Sequence, residues 1–360
     1  MKYILQPIRF VKIFLMVFLM FLLYHTIVWT FFSSKIFGLK NGEYVGDLGR
    51  TSYQLKSLYL RKLKYTLPKT HLGSKEWKDQ KIDILTIGDS FSNADTGGKN
   101  PYYQDYLASY YKKNILNLKR DNIKTKPFTF ILSLYNNKIL EKIHPQAIII
   151  ESVERFVYDR YTKDFDFNYI SDINITDIAE AKKEKNSYIP KLLLINTANY
   201  RLPYYTLLYE FKFNANKSIP RLNLSKNVFS NNGYENKLLI TREDIQGIHN
   251  DKNAVLKINK NLNKLARKLK KLNIKLFFMV APDRYDVFSK YIVNSPYPKN
   301  KFFDMIRPLK KEYYFVDTKQ ILQEAIDNGE QDIYYPDDTH WSYKASEIIT
   351  KDKIFYDNLR

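Results

Sequence analysis

Cysteine is absent from the 360 residues, which excludes a disulfide framework, a thiolate metal site and a cysteine nucleophile. Any nucleophile must therefore be oxygen or nitrogen. Glycine is scarce, at 11 residues, and no internal repeat occurs, so collagen-like and low-complexity architectures are excluded as well. Acidic residues are missing from the first 34 positions, where Lys2, Arg9 and Lys12 are the only charged side chains. In place of these the chain is 44% hydrophobic and 16% aromatic, with 30 Tyr and 23 Phe, enough to bury a real core. Its formal net charge of +20 is spread along the whole length. A basic surface of this size gathers polyanions, whether nucleic acid, anionic lipid headgroups or an acidic envelope polymer, but charge alone names no partner.

Residues 13–32 (IFLMVFLMFLLYHTIVWTFF) form an uncharged apolar run of the ~20 residues that a helix needs to cross a bilayer. Arg9 and Lys12 precede it, so the positive-inside bias leaves residues 1–12 in the cytoplasm and everything after Ser33 outside. The run ends in Trp29, Phe31 and Phe32, aromatic side chains that favour the interface, and it is read as an uncleaved anchor. The competing reading is a signal peptide cleaved near Ser33-Ser34.

After a juxtamembrane segment, 33–75, short apolar runs alternate with helical patterns. Ile82–Ile87, Ala147–Ile150, Ile274–Val280 and Tyr313–Val316 read as strands. Val255, Ile258, Leu262, Leu265, Leu269 and Leu272 draw one apolar stripe along a Lys-rich helix. The alternation predicts an α/β domain over 76–360, a parallel sheet with helices on both faces, whose ligand site lies at the C-terminal ends of the strands. Residues 157–250, rich in Asn, Tyr and Lys, interrupt the rhythm and are read as an insertion or cap.

Two motifs carry chemistry. Ser90 lies in Gly88-Asp89-Ser90-Phe91-Ser92 directly after the first strand, where a serine nucleophile belongs; taken alone, the same residues also suit a helix cap. Near the C-terminus stands Tyr335-Pro336-Asp337-Asp338-Thr339-His340-Trp341-Ser342. A serine hydroxyl needs a base to take its proton, and the imidazole needs a carboxylate to hold its tautomer. An extended segment would make Asp338 that carboxylate and a helical turn would make it Asp337. A solvated loop histidine beside capping acids is the alternative. Arg155 and Arg284 each follow a strand and are candidates for holding an anionic substrate, or else ion pairs with Glu154 or Asp283. Trp341 could stack on a sugar ring or simply pack its loop. The chain calls for no cofactor and no metal.

A GDS block after the first strand and an Asp-x-His near the end resemble the SGNH (GDSL-like) hydrolase superfamily over roughly residues 80 to 350. Ile149-Ile150-Glu151-Ser152-Val153-Glu154-Arg155, Val280-Ala281-Pro282-Asp283-Arg284 and Asp338-Thr339-His340-Trp341 look like the AlgX/AlgJ branch of alginate O-acetyltransferases and, more loosely, the DltD proteins of teichoic acid D-alanylation. The resemblance implies an SGNH/flavodoxin-like sheet, with Ser90 as nucleophile, His340 as base, Asp338 as its orienter and Arg155 at the rim of the site. It also implies an extracytoplasmic O-acyltransferase, most often of acetyl, that works with a multi-spanning membrane acyltransferase and a polysaccharide acceptor. An esterase using the same triad, a D-alanyl transferase and a catalytically silent polymer-binding protein are the other expectations; nucleic acid is disfavoured because the anchor places the basic domain outside the cell. Two features depart from the pattern. The GxND block that supplies an oxyanion-hole Asn is missing, and the alginate proteins carry their Asp-x-His before the serine.

Overall fold

The computed structural model describes residues 2–34, 46–52, 66–73, 76–93, 100–119, 127–171, 193–211, 219–230 and 236–360. Much of the 33–75 and 157–250 segments lies outside the described residues.

Helix α1 (Lys2–Val28) continues through a π-helical turn at Trp29–Ser33. Over Pro7–Ser33 it is long and apolar enough to cross a membrane, with a mean hydropathy of 2.2, and its apolar side chains are largely exposed. An apolar helix left open to water loses the burial that would stabilise it, whereas in lipid its backbone bonds are internally satisfied.

The domain beyond is built on a six-stranded sheet of β1 (Leu72–Gly73), β2 (Ile84–Gly88), β3 (Ile115–Lys119), β4 (Ala147–Val153), β7 (Lys275–Ala281) and β8 (Tyr314–Val316). All neighbouring strands are parallel, in the order β1-β3-β2-β4-β7-β8. Leaving aside the two-residue edge strand β1, the order is the 2-1-3-4-5 of a flavodoxin-like doubly wound sheet. The chain reverses direction of growth between β2 and β4, and the crevice at their carboxyl ends is the expected ligand site.

Strand alternation sorts the core into two layers. Ile84, Ile149, Phe277 and Met279 face a layer shared with α2 (Tyr103–Tyr111), α6 (Thr318–Asp327), α7 (Tyr343–Thr350) and α8 (Lys353–Leu359). Leu85, Ile148, Ile150, Phe278 and Val280 face the other, with α3 (Pro127–Asn136) and α5 (Lys252–Lys270). The stripe predicted on α5 is its buried face, with Val255, Ile258, Leu262, Leu265 and Leu269 each no more than 1% exposed.

Two segments drawn from sequence as peripheral contribute to the domain. The sheet takes in β1, and Leu48 is buried in the core, so the segment ahead of residue 76 supplies structure to the domain. Within 157–250, the antiparallel hairpin of β5 (Arg221–Asn223) and β6 (Lys237–Leu239) inserts Leu222, Phe229 and Leu238 into the core, while α4 (Ala198–Glu210) packs on the C-terminal end of α1.

Candidate active site

β2 ends on Gly88, and the chain turns at once through residues 89–93, with the amides of Ser92 and Asn93 both donating to Asp89 O at 3.1 Å. A turn rather than a regular helix follows Ser90. Gly88 is required by close approach: a Cβ there would lie within 3.0 Å of Ser92 Oγ and Glu151 Oε2. Glu151, fully buried in β4, accepts from Asp89 N at 2.9 Å, Ser92 N at 3.2 Å and Ser92 Oγ at 2.8 Å. Asp89 in turn accepts from Val153 N at 2.8 Å and Arg160 Nη1 at 2.5 Å. Burial pushes the Glu151 carboxyl well above the usual range, and the Asp89 charge adds to it. For Asp89 burial acts the same way, but the Arg160 guanidinium and the Val153 amide outweigh it and hold the pKa low. This cross-strand network fixes the turn that carries Ser90. It also engages the amides of Asp89 and Ser92, so neither is offered to an oxyanion.

The second half of the site comes from the loop between α6 and α7. His340 Nδ1 lies 2.7 Å from Asp338 Oδ1, which also accepts from the His340 amide at 3.0 Å. Asp338 is the carboxylate that meets the imidazole, in the i, i+2 arrangement of an extended segment; Asp337 instead accepts from Gly46 N at 2.8 Å. A second carboxylate stands behind the first: Asp47 Oδ2 is 3.9 Å from the same His340 nitrogen, and Asp47 accepts from Thr339 N at 2.8 Å and from the Thr339 hydroxyl. Burial lowers the His340 pKa, but the hydrogen bond to Asp338 and the charges of Asp338 and Asp47 overcome it, leaving the pKa above the ordinary histidine value. Asp47, Asp338 and His340 also have ligand atoms within 4.8 Å of one another, as a metal would need, but those atoms are engaged in the bonds just described.

The two halves meet through Phe91, whose ring is 4.9 Å from the imidazole of His340 and 4.8 Å from Trp341 between centroids. Ser90 is half-buried beside it. Among the described residues no hydrogen bond joins Ser90 Oγ to His340, and Nε2 of His340, the nitrogen remote from Asp338, has no partner.

The three residues expected to meet substrate are each engaged by other groups of the protein. Arg155 bonds Asp283 and has Asp244 Oδ1 at 3.5 Å and Glu243 Oε2 at 3.7 Å, the ion-pair alternative. Arg284 is 1% exposed and donates to the carbonyls of Tyr335 and Asp338, and to that of Pro336 at 3.0 Å. Burial lowers its pKa to about 10. It shapes the loop that carries His340. Trp341 is 1% exposed, packed edge-on against Phe91 and Tyr103, so no sugar ring reaches its face.

Asp47 and Glu151 were not singled out from sequence. A carboxylate inside the otherwise apolar Ala147–Val153 run is a signal for Glu151, since a buried acid needs partners. Asp47 carries no such signal: it lies 293 positions from its imidazole, a proximity that only the fold creates.

Neither the scan of family models nor the comparison with curated proteins finds a match to this chain.

Proposed function

We propose that the chain is a membrane-anchored, extracytoplasmic serine O-acyltransferase of the SGNH class, transferring acetyl to a cell-envelope or secreted polysaccharide. The observation that carries the reading is the Asp338–His340 pair at 2.7 Å, packed through Phe91 against the turn that bears Ser90 at the switch point of the sheet. The anchor and the excess of basic charge support an extracytoplasmic place beside an acidic polymer.

In this reading Ser90 Oγ attacks the carbonyl carbon of an activated acyl donor, supplied by a multi-spanning membrane acyltransferase, while its proton passes to His340 Nε2. Asp338 holds Nδ1–H and stabilises the imidazolium. Collapse of the tetrahedral adduct expels the donor's leaving group with that proton and leaves an ester on Ser90. A sugar hydroxyl then gives its proton to Nε2 and attacks the ester, and collapse returns a proton to Ser90 Oγ. An esterase differs only in that water replaces the sugar, and D-alanyl transfer only in the acyl group.

Intact-protein mass spectrometry after reaction with an activated acetyl ester tests the reading. The wild-type protein gains one acetyl mass and Ser90→Ala gains none. Oligosaccharide acceptors then discharge the wild-type ester onto sugar. Labelling that persists in Ser90→Ala removes the nucleophile, and discharge onto water alone makes the protein an esterase.

A further inference from the structure

Among the described residues outside the site, the largest group of exposed apolar side chains beyond α1 lies on and just before α4. Leu193 is 80% exposed, Tyr204 and Leu207 each 59% and Phe211 70%, with Tyr200 at 50%. Tyr200, Tyr204, Leu207 and Phe211 follow one another at spacings of four, three and four, so they form a single stripe, opposite the buried Leu202. A water-facing helix would carry polar residues there.

The start of α4 is tied to the outer half of the apolar run in α1. His25, fully buried, accepts at Nδ1 from Asn199 Nδ2 at 2.7 Å, so its Nε2–H donates to Tyr200 Oη at 2.8 Å. Ser33 Oγ donates to Asn199 Oδ1 at 2.7 Å, and Tyr24 Oη to the Asn199 carbonyl at 2.8 Å. An imidazole inside a spanning helix must be satisfied by protein, because lipid offers it nothing. Its partners must then sit at its own depth, which takes the start of α4 into the outer leaflet.

We propose that α4 with residues 193–195 is an interfacial helix whose outward stripe lies in the outer headgroup and acyl boundary of the bilayer. The chain would then meet the membrane at two elements, α1 and α4. The occupant is lipid because the stripe joins the exposed apolar surface of α1 where Tyr200 stacks on Tyr24, ring centroids 5.5 Å apart. Its chemistry is also that of an interface: tyrosines with polar tips beside leucine and phenylalanine, and an exposed Arg201 to meet anionic headgroups. The inference rests on the spanning assignment of α1, so its test measures both.

The chain has no cysteine, so a single introduced one labels uniquely. Spin labels at Leu193→Cys, Tyr204→Cys and Leu207→Cys are placed in the full chain, reconstituted in vesicles of equal phosphatidylcholine and phosphatidylglycerol. Leu19→Cys in α1 and the exposed Lys260→Cys on α5 serve as references. Collision accessibility to oxygen relative to a water-soluble nickel chelate should be several-fold higher at the three α4-region sites than at Lys260. Values like that of Lys260, with Leu19 in lipid, overturn the proposal and leave the anchor standing. A water-exposed Leu19 overturns both. Shielding that arises in native membranes but not in the vesicles assigns the stripe to a protein partner and overturns the lipid assignment. Leu193 precedes the helix, so its label reports even where a substitution within α4 disturbs folding.

Discussion

Asp47 and Asp338 address the same nitrogen of His340, at 3.9 and 2.7 Å, from positions nearly 300 residues apart in the chain. The nearer carboxylate makes the hydrogen bond and the farther one adds charge and holds Thr339. The two therefore separate on substitution. Asp338→Ala removes the group that fixes the tautomer, and turnover should fall by about 10³ to 10⁴, as for triads generally. Asp47→Asn keeps an acceptor oxygen for the Thr339 amide and should cost far less.

The pH dependence follows from the same pair. In the proposed reaction His340 accepts a proton only when neutral, and its pKa lies above the ordinary value, so kcat/KM should rise with pH through a limb displaced upward from that of a free imidazole. Removing the Asp47 charge should move that limb to lower pH. The raised folded pKa also means that His340 contributes stability fully present below its unfolded pKa and lost as pH rises through the folded one. A pH-rate profile in Asp47→Asn that does not move, or moves up, counts against the role of Asp47.

Gly88→Ala introduces a Cβ against Ser92 and Glu151. Both neighbours are fully buried and bonded to each other, so the turn must shift. A loss of about 1–3 kcal/mol in stability is expected, together with most of the activity, because the displaced segment carries Ser90. Thermal melts and acyl-labelling rates of the variant check the two effects separately; a variant with wild-type labelling shows that the turn need not be held so tightly.

Arg155 is an ion-pairing residue in this structure, flanked by Asp283 and Asp244 and scarcely exposed. Arg155→Met leaves buried acids short of their cation and should cost about 3–5 kcal/mol. Burial first, then the neighbouring carboxylates, raise the Asp283 pKa to about 8 even against the lowering pull of Arg155, so the variant should favour a protonated Asp283 still more. An anionic-substrate role predicts the opposite: a raised KM on a protein of unchanged stability.

Arg284 joins three carbonyls of the 335–338 loop. Arg284→Lys keeps the charge but cannot fork across three acceptors, and each carbonyl left buried without a donor costs about 1–3 kcal/mol. Lower stability and a fall in kcat with little change in KM are the expected outcome, read from denaturant melts and steady-state kinetics. A selective rise in KM would return Arg284 to the substrate.

The sequence by itself determined the long apolar helix, the alternation of strand and helix, and the two motifs that hold Ser90 and His340. Each is a local pattern: β-branched runs at Ala147–Ile150 and an apolar stripe from Val255 to Leu269 bury the same faces wherever they dock. The tertiary structure decided what local pattern cannot encode. Asp338 rather than Asp337 turns to His340 because Gly46, from a distant segment, claims Asp337. Strand β3 and the strands at 221–223 and 237–239 are not legible in the sequence because Asn117 and the polar residues of the hairpin blur the apolar run, and pairing with neighbours makes them strands. Arg155, Arg284 and Trp341 read in sequence as candidate substrate contacts because they stand at strand ends and beside the Asp338–His340 motif. Only burial distinguishes an arginine that meets a ligand from one that ties carbonyls or acids together, and burial is a property of the folded chain.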